Sequence, residues 1–221
     1  MWELVYAGGW LMAPIVLCSV IALVIIFERA IRLRAHKIVP QGLAEVLLKK
    51  IDQGQLGEQE LRQIQHASPL GDILATGILS AGAGLESMTL QMQSRASTQI
   101  HRLENNLNLL GTIGNVAPLL GLLGTVLGII ESFLAVNAGG TTDPALLAGG
   151  ISQALITTAA GMLVAIPALV AYRHYQRKIV DLAVEMEAQA SRLTHGLLGS
   201  GTAPHVSSSS VSRSNDLPES R

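Results

Sequence analysis

Three long stretches without charged side chains constrain this chain more than any other feature of its sequence. They cover residues 6–27, 105–130 and 144–172, and none of them contains Asp, Glu, Lys or Arg. A bilayer core of about 30 Å needs roughly 20 mostly apolar residues in a helix, because each residue rises about 1.5 Å. We therefore predict three transmembrane helices.

The composition agrees with a membrane protein and argues against several classes of function. Charged residues make up only 14% of the 221 residues, and the mean hydropathy is +0.41. A typical soluble protein has about 25% charged residues. The net charge of −1 lacks the strongly basic character of a general nucleic-acid binder. The single cysteine, Cys18, leaves no disulfide framework or cysteine zinc cluster to predict.

The basic residues all lie on one side of the predicted membrane. The N-terminal segment before Trp10 and the connection 136–143 contain no Lys or Arg. Lys and Arg near span ends are retained on the cytoplasmic side, which predicts an outside N-terminus and an internal C-terminus. The alternative is that the first span is a cleaved signal peptide. The sequence has neither the basic leading segment nor the small-residue cleavage site that such a peptide needs. The basic residues concerned are Arg29, Arg32, Arg34, Lys37, Arg95, Arg102, Arg173, Arg177 and Lys178.

The loop between the first two spans has the pattern of helices rather than of a catalytic domain. Apolar residues recur every three or four positions from Leu85 through Met88, Met92, Ala96, Ile100, Leu103, Leu107 and Leu110. Because this stripe enters the second span without interruption, we expect one continuous helix there. A matching stripe, Ile179, Leu182, Met186, Ala190 and Leu193, predicts an extension of the third span. Short helices over 39–70 should break at Pro40, Gly54, Gly57 and Pro69.

The predicted fold is therefore all-α: an integral membrane protein with three transmembrane helices, the second and third extended into a cytoplasmic helical bundle. The predicted segments are an outside N-terminus with the first span (1–27), a cytoplasmic helical loop (28–104), the second span (105–135), an external hairpin (136–143), the third span (144–172), a cytoplasmic helical extension (173–198) and a disordered tail (199–221).

Small and polar residues occupy one face of each of the last two spans. Such faces allow close helix packing in membranes, and they can equally line a polar path or an oligomer interface. Pro118 and Pro167 each free a carbonyl one turn earlier, which can bend the helix or offer an acceptor. The second span presents Gly111, Gly114, Pro118, Gly121, Thr125, Gly128 and Ser132, and the third presents Gly150, Gln153, Thr157, Gly161 and Val164 beside Ala154, Thr158 and Ala165.

The segments NVAPLLGLLGTVLGI (115–129) and GISQALITTAAGMLVAIPA (150–168) resemble the MotA/TolQ/ExbB proton-channel family, most of all its ExbB branch, with the TolQ branch close behind. The resemblance covers about 10–198. It implies a homo-oligomeric ring, a pentamer, around single-span helices of an ExbD-like partner that carries an Asp. The ring would lie in the bacterial inner membrane, contact a TonB-like protein, and use the proton gradient to drive uptake across the outer membrane.

The resemblance also assigns roles to particular residues. Thr125 and Thr158 match the family's pore-lining threonines, and Pro118 and Pro167 match its span prolines. We place Thr157 and Gln153 with the pore-lining set. The family often has Glu where this chain has Gln153, and an amide cannot titrate. That leaves Glu131 as the nearest acid, which we expect to lie at the membrane interface toward the external end of its span.

None of the three spans places a titratable group clearly at bilayer depth, and proton transfer across a membrane requires such a group. We therefore expect the acid to come from the partner's Asp. Two alternatives from the same family remain, a TolQ-like subunit of the Tol-Pal envelope system and a subunit of a flagellar-type motor. A non-conducting membrane scaffold is a third. An intramembrane enzyme would need a convergent catalytic set, and no His lies within any span; we predict no catalytic residues, metal or cofactor.

Overall fold

The computed structural model describes residues 9–139 and 144–200, and all regular structure in these two ranges is helical. Eight α-helices follow one another in the described ranges, with a short 3₁₀ turn at Ala81–Ala83. They are α1 (Met12–Arg32), α2 (Ala35–Ile38), α3 (Leu43–Asp52), α4 (Glu58–Ala67), α5 (Pro69–Ser80), α6 (Leu85–Glu104), α7 (Leu107–Gly139) and α8 (Pro144–Ser200).

Three of these helices are long and apolar enough to cross a membrane, which confirms the predicted number of spans. They are α1, α7 and the first part of α8. Their outward faces carry large exposed apolar side chains such as Val24, Leu119 and Leu163, the last of which is 75% exposed. In water such faces would be unfavourable, whereas lipid tails or further apolar helices cover them at no cost. The predicted tail beyond Ser200 and the first eight residues lie outside the described ranges.

The chain divides into two compact units. The first comprises residues 1–34 and 101–181, and the second comprises 35–100 and 182–221, in so far as these are described. In the first unit α1 packs against α7. The first unit therefore contains all three membrane-length segments, and the second contains the short helices with the last part of α8.

The second unit has an apolar core built from the patterns that the sequence predicted. Leu182, Met186 and Leu193 of α8 are buried, while Glu187 and Arg192 on the opposite face are exposed. Between the short helices lie the predicted breaks: Pro40 precedes α3, Gly54 and Gly57 separate α3 from α4, and Pro69 is the first residue of α5. Other buried members of the core are Leu47, Leu61, Leu70, Ile73, Leu74, Ile78, Met88 and Met92.

One predicted element is wrong. The stripe from Leu85 to Leu110 does not form one continuous helix, because the chain breaks between α6, which ends at Glu104, and α7, which begins at Leu107. Asn106 has a φ of 61°, a left-handed conformation that Asn tolerates better than most residues and that a helix interior excludes. Leu85 itself is exposed rather than buried. The third span does continue without a break, through the 57 residues of α8.

Candidate functional site

The small-residue faces of α7 and α8 pack against each other in antiparallel fashion. A side chain added at Gly114 would meet Leu169 at 2.6 Å, one at Gly128 would meet Ala154 at 3.1 Å, and one at Gly161 would meet the Ala117 carbonyl oxygen at 2.5 Å. An added Cβ would meet main chain at Gly161 and side chains of α8 at Gly114 and Gly128, so small residues here allow the two helices to pack closely. We call this contact the α7–α8 seam; it comprises Gly111, Gly114, Ala117, Gly121, Gly124, Gly128 and Ser132 of α7 with Gly150, Ala154, Thr157, Thr158, Gly161 and Leu169 of α8.

Thr158 links the two helices across the seam. Its Oγ1 donates a hydrogen bond of 2.8 Å to the carbonyl oxygen of Gly121. The bond requires the close approach of the two backbones, since an added Cβ at Gly121 would lie 2.9 Å from the Thr158 Cα. Thr158 is half-buried, so the hydroxyl lies at the margin of the seam rather than in its centre.

Thr125 lies on the same helix face, one turn beyond Gly121. Its Oγ1 donates a hydrogen bond of 2.6 Å to the carbonyl oxygen of Leu122 on its own helix, and the residue is half-buried. Thr125 is thus one turn along α7 from Gly121, the residue that accepts the hydrogen bond of Thr158. Each of the two threonines donates its hydroxyl proton to a main-chain carbonyl.

Thr157 and Ser132 have a different environment from Thr125 and Thr158. Thr157 is only 1% exposed, its methyl group lies against Gly124, and its hydroxyl donates a 2.9 Å hydrogen bond to the carbonyl oxygen of Gln153. Ser132 is buried and donates a 2.7 Å hydrogen bond to the carbonyl oxygen of Gly128. Both hydroxyls lie in the packed part of the seam, so the structure separates Thr157 from the half-buried threonines with which the sequence grouped it.

Gln153 and Glu131 line the same pocket at the end of the seam opposite Gly111. The pocket also includes Gly9 and Trp10, which precede α1, and Gly128. The amide of Gln153 lies against Gly9. Glu131 is exposed. The sequence singled out these two residues separately, and the structure brings the amide and the carboxylate to one place.

The two span prolines interrupt helical hydrogen bonding without ending either helix. Pro118 lies inside α7 and Pro167 inside α8. Each lacks an N–H, so the carbonyl oxygens of Gly114 and Leu163, four residues earlier, lose their usual helical donors. The bending that we predicted at these prolines stays a prediction.

A buried carboxylate in the second unit was missed at the sequence level. Asp72, in the first turn of α5, is 5% exposed, and Arg95 of α6 contacts it with Nε 2.7 Å from Oδ2 and Nη2 3.0 Å from Oδ1. Gln99 donates to Oδ2 and Gln65 to Oδ1, the latter at 3.2 Å. Burial raises the pKa of Asp72, but the hydrogen bonds from Arg95, Gln65 and Gln99 outweigh it, so its pKa lies below the ordinary value. The sequence did contain a signal for this site, because Asp72 is the one charged residue in the mostly apolar helix α5.

Among the residues that the structure describes, no group of three or more His, Cys, Asp or Glu side chains is placed to hold a metal ion. The described site therefore consists of hydroxyls, main-chain carbonyls, one amide and one carboxylate.

Three membrane-length helices and a hydroxyl-bearing seam between the last two define a multi-pass helical membrane protein. Residues 65–188 match the MotA/TolQ/ExbB proton channel family, and this range includes all of α7 and α8 up to residue 188. The chain belongs to that family, which confirms the resemblance found in the sequence.

Relatives of both ExbB and TolQ type are similar to this chain. The ExbB-like protein 1 of Synechocystis sp. is 35% identical over 169 residues, covering 75% of this chain and 66% of the relative. The biopolymer transport protein ExbB of Neisseria gonorrhoeae is 35% identical over 113 residues, covering 51% of each. The Tol-Pal system protein TolQ of Pseudomonas aeruginosa is 30% identical over 193 residues, covering 80% of this chain and 84% of the relative. The chain is a proton-channel subunit of the ExbB/TolQ type.

Proposed function

We propose that this chain is an ExbB-like subunit of an inner-membrane motor that uses the proton gradient to energise TonB-dependent uptake across the outer membrane. The observation that carries the proposal is that Thr158, which bonds to Gly121, and Thr125, one turn from Gly121 on α7, are both half-buried in a chain of this family. The N-terminus would face the periplasm and the C-terminus the cytoplasm, as the basic residues indicate.

The chain would act with other chains. By the family resemblance, five copies form a ring around the single-span helices of an ExbD-like partner, whose Asp supplies the acid at depth. The exposed apolar faces of α1, α7 and α8 offer the surface that neighbouring copies and lipid would cover. A TonB-like protein would receive the resulting motion. The continuous uncharged runs of the second and third spans support an acid from another chain.

The hydrogen bonds of the two threonines favour one protonation state of that acid. A hydroxyl has one proton to donate and lone pairs that accept. Thr125 donates its proton to Leu122 and Thr158 donates its proton to Gly121. Both hydroxyls therefore present acceptors, which suits the O–H of a neutral carboxylic acid. A carboxylate, which only accepts, would have to break one of these bonds to find a donor.

Proton flow would become motion through this preference. The neutral partner Asp would be stable beside Thr158, and the ionised Asp would be more stable in a wetter position, since a carboxylate at bilayer depth costs at least about 2.5 kcal/mol. Alternate protonation and release would then move the partner helix relative to the ring. In this mechanism Thr157 contributes to packing, because its hydroxyl is buried against α7.

A reconstitution experiment tests the proposal. The chain, co-expressed with an ExbD-like partner, is purified as a complex and placed in liposomes with a pH-sensitive dye inside. We expect an imposed pH gradient to collapse faster than in empty liposomes, and the partner's Asp→Asn variant to abolish the effect while the complex still assembles. Equal flux with the Asn variant would contradict the proposal, and an assembled complex without flux would favour a non-conducting scaffold.

A second candidate is a TolQ-like role in envelope maintenance, which the coverage of 84% of the Pseudomonas aeruginosa TolQ favours. Deletion of the gene separates the two systems. Loss of TonB-dependent uptake with an intact envelope supports the ExbB-like role. Leakage of periplasmic proteins with normal uptake supports the TolQ-like role.

A further inference from the structure

Arg29 is a buried cation at the end of α1. It is 3% exposed, although Arg32 and Arg34 nearby are exposed. Among the described residues no carboxylate lies within 4 Å of its guanidinium. Instead Nη1 donates a 2.7 Å hydrogen bond to the carbonyl oxygen of Leu103, and Nη2 donates to the carbonyl oxygen of Asn105. Within the described part of the chain its hydrogen bonds go to main-chain carbonyls, and burying a charge beside neutral acceptors costs free energy of desolvation.

The two carbonyls lie at the break between α6 and α7: Leu103 is in the last turn of α6, and Asn105 follows the end of that helix. In a continuous helix the carbonyl oxygens of Leu103 and Asn105 would accept from the N–H groups of Leu107 and Leu109, four residues later. The left-handed Asn106 prevents this. Helix ends leave carbonyls that need other donors, and Arg29 supplies two from one planar group, with its positive charge at the negative end of α6.

Two further hydrogen bonds connect the last turns of α1 to its neighbours, one at the break and one on α8. The Nδ2 of Asn106 donates a 3.4 Å hydrogen bond to Oε2 of Glu28. The hydroxyl of Tyr175 on α8 donates a 3.0 Å hydrogen bond to the carbonyl oxygen of Ile26. The last turns of α1 therefore bind the start of α7 and a defined point on α8.

We propose that Arg29 is a positioning residue that sets where the second span begins. By satisfying the two carbonyls it stabilises the break over a continuous helix. Because α7 is one helix from Leu107 to Gly139, its starting point fixes the depth and rotation of Gly121 and Thr125. The bond between Gly121 and Thr158 then depends on a residue that touches neither of them. The role in transport rests on the proposed function, whereas the effect on the break does not.

Hydrogen exchange tests the effect on the break directly. Arg29→Met keeps much of the side-chain volume and removes both donors. The two carbonyls can then regain main-chain donors by closing the helix across Asn106, so we expect the amides of Leu107 and Leu109 to exchange at least about tenfold more slowly than in the wild-type complex. Arg29→Lys should be intermediate, since an ammonium on a flexible stem lacks the fork of a guanidinium. Arg34→Met, which removes the same charge from an exposed position, should match wild type.

A second substitution keeps the test decisive if Arg29→Met folds poorly. Glycine adopts a positive φ without strain, so Asn106→Gly in the Arg29→Lys background should restore wild-type exchange, and Asn106→Ala in that background should slow exchange further. Exchange in Arg29→Met equal to that in Arg34→Met would overturn the proposal.

Proton flux in the reconstituted complex tests the positioning role. We expect Arg29→Met to lower flux at least about tenfold and Asn106→Gly to recover part of the loss in the Arg29→Lys background. Slowed exchange with wild-type flux would overturn the positioning role while leaving the proposed function intact. Absence of flux in the wild-type complex would count against the proposed function, and the exchange rates would still decide whether Arg29 holds the break.

Discussion

A methyl group at Gly161 should separate α7 from α8. The added Cβ would lie 2.5 Å from the Ala117 carbonyl oxygen and 3.2 Å from the Gly121 Cα, and both are main-chain atoms that no rotamer can move. Ordinary contact begins at 3.4 Å, so the helices must part by about 0.9 Å. The bond from Thr158 to Gly121, now 2.8 Å, would then stretch to as much as about 3.7 Å, beyond hydrogen-bonding distance.

The expected decrease in stability has two parts, the steric clash and the broken hydrogen bond. Overpacking costs about 1–3 kcal/mol, and an interhelical hydrogen bond in a membrane contributes about 0.6 kcal/mol. Gly149 provides a matched control on the same helix, because nothing lies within 4 Å of a Cβ added there. Both alanines gain the same helix propensity, about 1 kcal/mol, so Gly161→Ala should be about 2–3 kcal/mol less stable than Gly149→Ala.

The assay is reversible unfolding of the purified protein in mixed SDS micelles, followed by circular dichroism. Proton flux in the reconstituted complex is measured beside it, and Gly161→Ala should lower it together with the stability. Equal free energies of unfolding for Gly161→Ala and Gly149→Ala would refute the argument, since the seam would then have room that the backbone distances deny.

Three further predictions address the topology, the buried Asp72 and the pocket lined by Gln153 and Glu131. In a cysteine-free background, Cys at Thr141 should react with an impermeant thiol reagent added to intact cells and Cys at Gln65 should not; the reverse would invert the topology. Asp72→Asn should destabilise the protein by about 2 kcal/mol, because the half-exposed Arg95 loses its partner, as unfolding free energies at pH 7 would show. Because the pKa of Asp72 is lowered in the folded protein, its contribution to stability is complete above the ordinary pKa near 3.8 and is lost as the pH falls below that value. If the free energy of unfolding depends on pH as strongly in Asp72→Asn as in wild type, this argument is wrong. Gln153→Ala should lose at most about 1 kcal/mol and Glu131→Gln should keep substantial flux; an assembled complex that Glu131→Gln inactivates would show that this chain supplies an essential acid.

The three spans were predictable because length and hydropathy alone decide which helices a bilayer accepts. The small faces of α7 and α8 were predictable for a similar reason, since they follow the helical period. The surface against which each of these faces packs was not predictable. Nothing in one sequence says whether such a face meets its own chain or another, and only the long-range packing places Gly121 against Thr158.

The distinction between Thr157 and Thr158 also needed the structure. The two residues are adjacent, and both fall on strips of small and polar residues at helical spacing. Which of them is enclosed depends on the approach of Gly124 to Thr157, a contact between two helices. A period of 3.6 residues within one helix does not contain that information.

The break before α7 shows the same limit more sharply. The apolar stripe continues across it, with Leu107 and Leu110 both buried, so periodicity predicts a continuous helix. The determinant is Arg29, 74 residues away from Leu103 in the chain. A long-range donor to two main-chain carbonyls leaves no trace in the local pattern.

The proton flux of Thr158 variants tests the central claim most directly. In liposomes containing the complex with its ExbD-like partner, Thr158→Val keeps the shape of the side chain but removes the hydroxyl, so we expect no flux above that of empty liposomes. Thr158→Ser keeps the hydroxyl and should conduct at a large fraction of the wild-type rate. Wild-type flux in an assembled Thr158→Val complex would contradict the claim that the seam hydroxyl receives the partner's acid.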